Sequence, residues 1–585
     1  MKENPEYQVV VGIDFGSSGS GFAYSFMDEN KIYHTDIPGA DVDKKVPTEI
    51  ILDDKNEILE FGAKCNSYLK DNGLNSGHYF KGIKMYLYSK KKEITSVNTN
   101  KTLPLQLVIE KVLSKLKDLC LDQMNKAWKF IEESLIKWVV TVPAIWGDFE
   151  KEIMMKACEN IGLVNQNYDK SLFFALEPES ASLYCSRNDN IRKEFLEPGK
   201  YYIVCDLGGG TGDIVTHMIG SNKNVEEITP SCGGNYGSNE IDKKIFKNII
   251  YKLFGFEDFN SLLKMYKEKV KDDDDDENGE ESLYQSWCDF EKDIKDFKKD
   301  SNKEKIENKK YCPISCGLFK DFFEENITDL VNKYNQQLKD KELQLVVKSK
   351  KKWMIEFPYK IIDIYMQEQA NLICKEIKDI LSRSKKEINT IMFVGGYCSN
   401  EVIISKIRNG LGEHFYYLQP SNPCLAIMEG AVLFGINPSI IGIRISKYTI
   451  GLQTNDIWNE EKHSKLGQKY LSEEENVYRC RNCFCKFIEI NQKLEYNKTI
   501  KYDQLIMLNS KYCNLPFYKS IKQNPIFTFE KGVEKILDCQ LNTGKNYPLG
   551  ERKIIIEIKF GGTYIDVKAI HEKSGKYINV NLKYD

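Results

Sequence analysis

Long apolar runs are missing from these 585 residues: nothing approaches the roughly 18 consecutive apolar residues that a membrane span needs. The first residues, Met1 to Gln8, are polar and lead straight into Val9-Val10-Val11, with no apolar leader ahead of them. The expectation is a soluble, cytoplasmic chain without a membrane span. An excess of either charge is missing as well. Lys and Arg number 83 against 86 Asp and Glu, a net charge of -3, so there is no broad basic field and no nucleic-acid partner is expected. Histidine is scarce at six residues, none in a recognisable nucleophile motif, which argues against Cys–His covalent chemistry. Cysteine is not scarce, at 17 residues. The odd count, scattered through apolar runs as at Cys158, Cys205 and Cys374, reads as reduced thiols packed as small hydrophobes. With 41% hydrophobic and 29% charged residues, the chain can bury a sizeable core.

An approximate internal repeat organises the first two thirds. Residues 8–26, QVVVGIDFGSSGSGFAYSF, and 200–218, KYYIVCDLGGGTGDIVTHM, each give an apolar strand ending in Asp-x-Gly, a turn of small residues and a second strand-forming run. Each reads as a glycine-rich β-hairpin preceded by one carboxylate. The separation of Asp14 and Asp206 is too long for a solenoid repeat and suits two similar α/β lobes. A buried-type strand at Trp138–Ala144 is followed by a helix pattern over Asp148–Ile161. A strand at Thr390–Val394 runs into Gly395-Gly396 and a helical stretch through Ile407. Strands alternating with helices indicate an α/β class with mixed sheets. The acidic run Lys271–Glu281 reads as a solvated loop. After Asn437-Pro438 the texture changes to short alternating strands, ending in a three-stranded meander at Lys553–Phe560, Thr563–Ile570 and Lys576–Leu582.

Glycine lets backbone N–H groups approach a polyphosphate, and a turn of small residues can aim several at one anion. An Asp at the strand end would repel that phosphate, so its natural partner is a divalent cation, commonly Mg²⁺ keeping most of its waters. Two opposed hairpins of this kind would clamp a nucleotide tail and its metal.

The order of Asp14 to Ser18, Val140-Thr141-Val142-Pro143-Ala144, Ala175-Leu176-Glu177-Pro178-Glu179-Ser180-Ala181, Asp206 to Thr211 and Val394-Gly395-Gly396 resembles the ATPase domain of the seventy-kilodalton heat-shock chaperones, within the actin-like ATPase superfamily. TVPAIWGDFEK, GGNYGSNEID, GAVLFGINP and IKFGGTYIDVKAI are similar to the family's divergent twelve-type branch. The resemblance implies a two-lobed domain of duplicated ribonuclease-H-like lobes over 1–440: lobe I about 1–198, lobe II about 199–390, and a closing segment about 391–440. A small, mostly-β partner-binding domain would follow over 441–585, without a helical lid. It implies ATP or ADP with Mg²⁺ as ligands, and a protein client or regulatory partner. Gly16, Ser17 and Ser18 would form one phosphate loop and Gly208, Gly209, Gly210 and Thr211 the other. Asp14 and Asp206 would hold the hydrated metal, and Glu177 would link metal water, hydrolytic water and domain coupling. Gly233 and Gly234 would lie on the ribose side, with Gly395 and Gly396 at the adenosine turn.

Departures from the family pattern are informative. Its phosphate-contacting lysine lacks its usual context here; HYFKGIKMYLY offers Lys81 and Lys84, of which Lys84 fits better. The adenine platform corresponds to Lys295-Asp296-Phe297-Lys298-Lys299, with lysine in place of the acid, so Lys298 and Lys299 are the nucleobase candidates. Ser399 stands where an arginine usually stacks on adenine, and slow turnover is expected. Ser439–Ile445 occupies the linker's place. In the C-terminal third, Cys480-Arg481-Asn482-Cys483-Phe484-Cys485 could bind zinc with Cys513 or His463, although no second Cys-x-x-Cys accompanies it, and plain thiols are the simpler reading. The leading function is a heat-shock-type, slowly hydrolysing ATPase that controls a protein partner. A sugar-type kinase of the same superfamily and a non-hydrolysing nucleotide-dependent scaffold are the rivals.

Overall fold

Val9–Asp14 is an unbroken run of buried residues, as expected of a strand covered on both faces. In the computed structural model it pairs antiparallel with Gly19–Phe26, with Asp14 opposite Gly21, and parallel with Ile136–Val142. Ile136–Val142 in turn runs parallel to Leu172–Leu176, and Tyr33–His34 pairs with the outer side of Gly19–Phe26. The structure describes residues 7–29, 31–36, 44–127, 131–164, 171–187, 197–256, 258–269, 279–323, 326–507, 511–560 and 564–583.

A second sheet repeats this order. Tyr201–Leu207 pairs antiparallel with Gly212–Ile219 and parallel with Thr390–Val394, which is parallel to Tyr416–Leu418. Val225–Gly234 takes the place beyond the hairpin. The repeated Asp-x-Gly segments are thus equivalent strands of two like-ordered sheets, and the mixed α/β class stands. The helix expected from Asp148 runs Asp148–Asn160. Most of the acidic run lies outside the described residues; its last three begin helix Gly279–Lys299.

Helix Ala426–Ile436 packs on the first sheet and across helix Glu177–Arg187. The crossing is so close that a Cβ on Gly430 would lie 1.8 Å from the Ser180 carbonyl oxygen. Backbone on both sides leaves nothing flexible to yield. Gly430→Ala is expected to destabilise by about 1–3 kcal/mol in urea unfolding. Gly550→Ala, whose Cβ would meet nothing within 4 Å, should stay within about 0.5 kcal/mol of the parent.

Beyond residue 440 strands predominate among the described residues. Gln468–Ser472, Val477–Ile488, Thr449–Ile457, Tyr512–Ser520 and Val533–Asn542 form one sheet in that order. Thr499–Ile506 joins the expected meander, observed at Lys553–Phe560, Tyr564–His571 and Tyr577–Lys583. Ile450, Leu452, Leu515 and Phe517 of the first sheet share a core with Ile554, Ile556, Ile558, Ile565 and Val567 of the second. The stretch expected in the linker's place includes a strand. Ile441–Ile445 runs parallel to Val225–Gly234 and antiparallel to Lys493–Glu495, with its alternating isoleucines on one face between the two. Among the described residues no helix is long and apolar enough to cross a membrane.

Candidate functional site

The two glycine-rich turns meet face to face. A Cβ on Gly209 would lie 2.1 Å from Ser18 Oγ, and one on Gly210 would lie 2.3 Å from Met85 Sδ and 2.6 Å from Ser17 Oγ. Only glycine permits this approach. The first turn is braced by Thr48, whose hydroxyl donates to the Gly16 carbonyl at 2.8 Å, and by Ser20 Oγ, which accepts from Gly16 N–H at 3.1 Å. In the second, Gly208 N–H donates to Thr211 O at 2.9 Å. Asn239 Nδ2 reaches across to Ser18 Oγ at 3.2 Å. Gly395, at φ +86°, closes a third side: a Cβ there would be 2.5 Å from Asp206 Oδ1.

Below the turns lies a buried cluster of charge. Asp14 accepts from Lys45 Nζ at 2.6 Å and from Thr141 Oγ1 at 3.3 Å. Glu177, the first residue of its helix, accepts from Lys84 Nζ at 2.6 Å, and that ammonium sits 5.5 Å from the Trp146 ring centre. Asp206 and Asp213 face each other across the second hairpin, and Asp213 Oδ1 accepts from Ile145 N–H at 3.0 Å. Asp206 Oδ1 is buried without a hydrogen-bond partner.

Burial, then the charges of Glu177, Asp213 and Asp14, hold Asp206 well above the ordinary carboxylate range. Burial and the Glu177 charge push Asp213 up to about 7. Glu177 is raised by burial, opposed by the Lys84 ammonium. Burial alone would lower Lys45, but the Asp14 carboxylate outweighs it and the net shift is upward. Four carboxylates facing two lysines, with one oxygen unpartnered, is an oxygen donor set suited to a hard cation such as Mg²⁺.

Asp14, Lys84, Glu177, Asp206, Gly16, Ser17, Ser18, Gly208, Gly209, Gly210 and Thr211 are therefore brought together, with Gly395 and Gly396 at the same strand end. Gly233 and Gly234 end their strand opposite Asp213 and Gly212. Lys298 is buried and donates to the Ser238 carbonyl at 3.0 Å and to Asp242 Oδ2 at 2.6 Å, anchoring the loop beside Gly209. Lys299 is exposed at the helix end. Lys81 pairs with Glu291 at 2.7 Å, away from the carboxylates.

Two members of the cluster have no counterpart in the motif reading. Lys45 arrives because Val46–Pro47 pairs with Gly19–Ser20, a contact that local sequence does not announce. Asp213 had a signal: it stands across the glycine turn from Asp206, where the first hairpin has Gly21.

Sheets and site together are those of a mixed α/β protein with two like-ordered sheets and a pair of apposed glycine turns beside a buried carboxylate cluster. No family model matches the chain. Along its whole length it resembles the 12A and 12B branch of the heat shock 70 kDa family. It is 25% identical to heat shock 70 kDa protein 12A of Homo sapiens over 669 aligned positions, covering 100% of this chain and 92% of the relative. Identity to heat shock 70 kDa protein 12B of Homo sapiens is 23% with the same coverage. A further likeness, 27% over 255 positions and 42% of this chain, is to the chaperone protein HscA homolog of Rickettsia rickettsii.

Proposed function

We propose that the chain is a nucleotide-controlled partner-binding ATPase of heat-shock type. Two lobes, about 1–198 and 199–390, close with the segment 391–440 on ATP. The nucleotide state then alters the hold of the β-rich part, 441–585, on a protein client. The observation that carries this reading is the apposition of two glycine turns above a buried carboxylate cluster with an unpartnered Asp206 oxygen. The similarity to chaperones of the heat shock 70 kDa and HscA types supports it.

In this reading the backbone N–H groups of Gly16–Ser18 and Gly208–Thr211 bind the phosphates, and Asp14 and Asp206 would hold Mg²⁺. The metal, when bound, neutralises charge on the β- and γ-phosphates. Glu177 orients the water that attacks in line, and Lys84, released from Glu177, stabilises the transferred phosphoryl group. Lys45 is paired with Asp14, so Asp14 would have to be released from that ion pair to hold the cation.

Calorimetric titration of nucleotide-free protein with ATP, ADP and GTP in Mg²⁺, followed by phosphate release from the same sample, tests the reading. Adenine-selective binding with slow, acceptor-independent release is expected. Lys84→Ala should reduce release by about a hundredfold or more, with Lys81→Ala much closer to the parent. Turnover only on addition of a sugar or polyol would replace this reading with a kinase, and binding without release would favour a scaffold.

A further inference from the structure

A second cluster of ligand-type side chains lies in the C-terminal β region, far in sequence from the carboxylates. His463, Cys480 and Cys483 are at most 1% exposed, and one donor atom from each lies within 4.8 Å of the others. His463 Nε2 is 3.9 Å from Cys483 Sγ. Tetrahedral zinc, with Zn–S near 2.3 Å and Zn–N near 2.0–2.1 Å, sets sulfur and nitrogen about 3.6 Å apart and two sulfurs about 3.8 Å apart. The His463–Cys483 separation is therefore within a few tenths of an ångström of that spacing, and Cys480 Sγ lies within 4.8 Å of both donors.

The convergence is built by an irregularity in strand Val477–Ile488. Residues three apart on a regular strand point to opposite faces, which would separate Cys480 from Cys483. Here Asp456 pairs with Cys480 while Thr454 pairs with Cys483, so Asn455 alone opposes Arg481 and Asn482. That is a β-bulge, and Asn482 takes φ +60° within it. The Thr528 amide pins it by donating to Asn482 O at 2.9 Å. His463 is aimed by its other nitrogen, as Asn459 N–H donates to Nδ1 at 3.0 Å. Trp458, Ile526 and Phe527 wall the cluster, and Gly467 packs so closely that a Cβ would lie 2.9 Å from Cys480 Sγ.

We propose that Cys480, Cys483 and His463 form a zinc site, with a single water as the fourth ligand. Two thiolates and a neutral imidazole cancel the charge of a divalent cation, which suits the apolar wall; a monovalent ion would leave a buried net charge. On binding, hydrated Zn²⁺ releases all but one of its waters, the two thiol protons leave to solvent, and two Zn–S bonds and one Zn–N bond form, with no change of oxidation state. The ring proton, held on Nε2 while Nδ1 accepts from Asn459, moves to Nδ1. The Asn459 N–H···Nδ1 hydrogen bond must open at that step, because both groups are then donors. The other thiols named with this motif take no part. Cys485 interacts with the Tyr502 hydroxyl, and Cys513 lies in the core between the two β sheets.

The test uses the full chain, purified with reductant and analysed for metal, then stripped and titrated with Co²⁺. About one zinc per chain is expected, with a thiolate-to-cobalt charge-transfer band on titration. Both should be lost in Cys480→Ser and Cys483→Ser and kept in Cys485→Ser and Cys513→Ser. Nitrogen shifts of His463 should report the move of the proton from Nε2 to Nδ1 when zinc is added to unmutated protein. That readout does not depend on any variant folding. Trace zinc with no cobalt band in the reduced, unmutated chain would overturn the site. So would an equal loss of metal in Cys485→Ser, or no change at the His463 ring.

Discussion

Asp206→Asn should weaken Mg²⁺-dependent nucleotide binding and turnover by about a hundredfold, and should make the metal-free protein more stable at neutral pH, not less. Both effects have one origin. Asp206 Oδ1 is buried without a partner, and its carboxyl is held well above its ordinary range by burial and by Glu177, Asp213 and Asp14. An acid whose folded pKa exceeds its unfolded value binds more protons in the native state between the two values. Native stability then falls as pH rises through that window. For Asp213 the window runs from 3.8 to about 7, and Asp206 is shifted in the same direction.

Thermal melts in chelator should therefore drop between about pH 4 and pH 7. Mg²⁺ should recover the loss at the upper end, where the carboxylates are ionised. Asparagine removes one of the charges, so Asp206→Asn should flatten the chelator curve and lose most of the Mg²⁺ response. A variant that melts like the parent in both conditions, with unchanged turnover, would remove Asp206 from the cation site.

The second large effect concerns Arg444. Its Nε and Nη2 donate to the two oxygens of Glu179, both at 2.7 Å, in a bidentate pair with side chains only 7% and 4% exposed. Glu179 is on the same helix as Glu177, whereas Arg444 is on the strand that joins the second sheet to the C-terminal β region. Nearby, Ile445 N–H donates to Glu227 at 2.8 Å, Lys447 Nζ to Ala144 O at 2.6 Å, and Lys519 pairs with Asp148 at 2.8 Å.

Arg444→Met leaves a buried carboxylate without its bidentate partner and should cost about 3–5 kcal/mol. The double variant Arg444→Met, Glu179→Gln should recover much of that, because the cost comes from the uncompensated charge more than from the lost attraction. Urea unfolding of the two single variants and the double variant makes the cycle. Additive losses, or no loss in Arg444→Met, would show the pair to be incidental.

Both predictions rest on groups that differ in how far the sequence announced them. Asp206 ends an apolar strand before three glycines, so its strand-end position and its place at a turn follow from local pattern alone. Glu177 could be read as a helix-start carboxylate, and it is one; it also reaches the cluster, because the helix begins where strand Leu172–Leu176 ends beside Ile136–Val142. Ile441–Ile445 invited reading as a connection because a short alternating run after Asn437-Pro438 does not say what it will pair with. The Cys-x-x-Cys spacing was visible, but His463 was one of two candidates to face it, and only its place beside Cys480 and Cys483 separates it from Cys513.

The sequence by itself determined the elements that depend on near neighbours: the two glycine hairpins with their carboxylates, the alternation of strands and helices, and the β-rich final third. Period, turn chemistry and burial pattern are properties of a few consecutive residues. Tertiary structure alone decided which distant groups share one buried volume. Lys45 meets Asp14, Lys84 meets Glu177, Arg444 meets Glu179 and His463 meets Cys483 across 31, 93, 265 and 20 residues. A charge carries no local mark of its partner. Its pairing is fixed only when burial removes water and leaves one opposite group within reach.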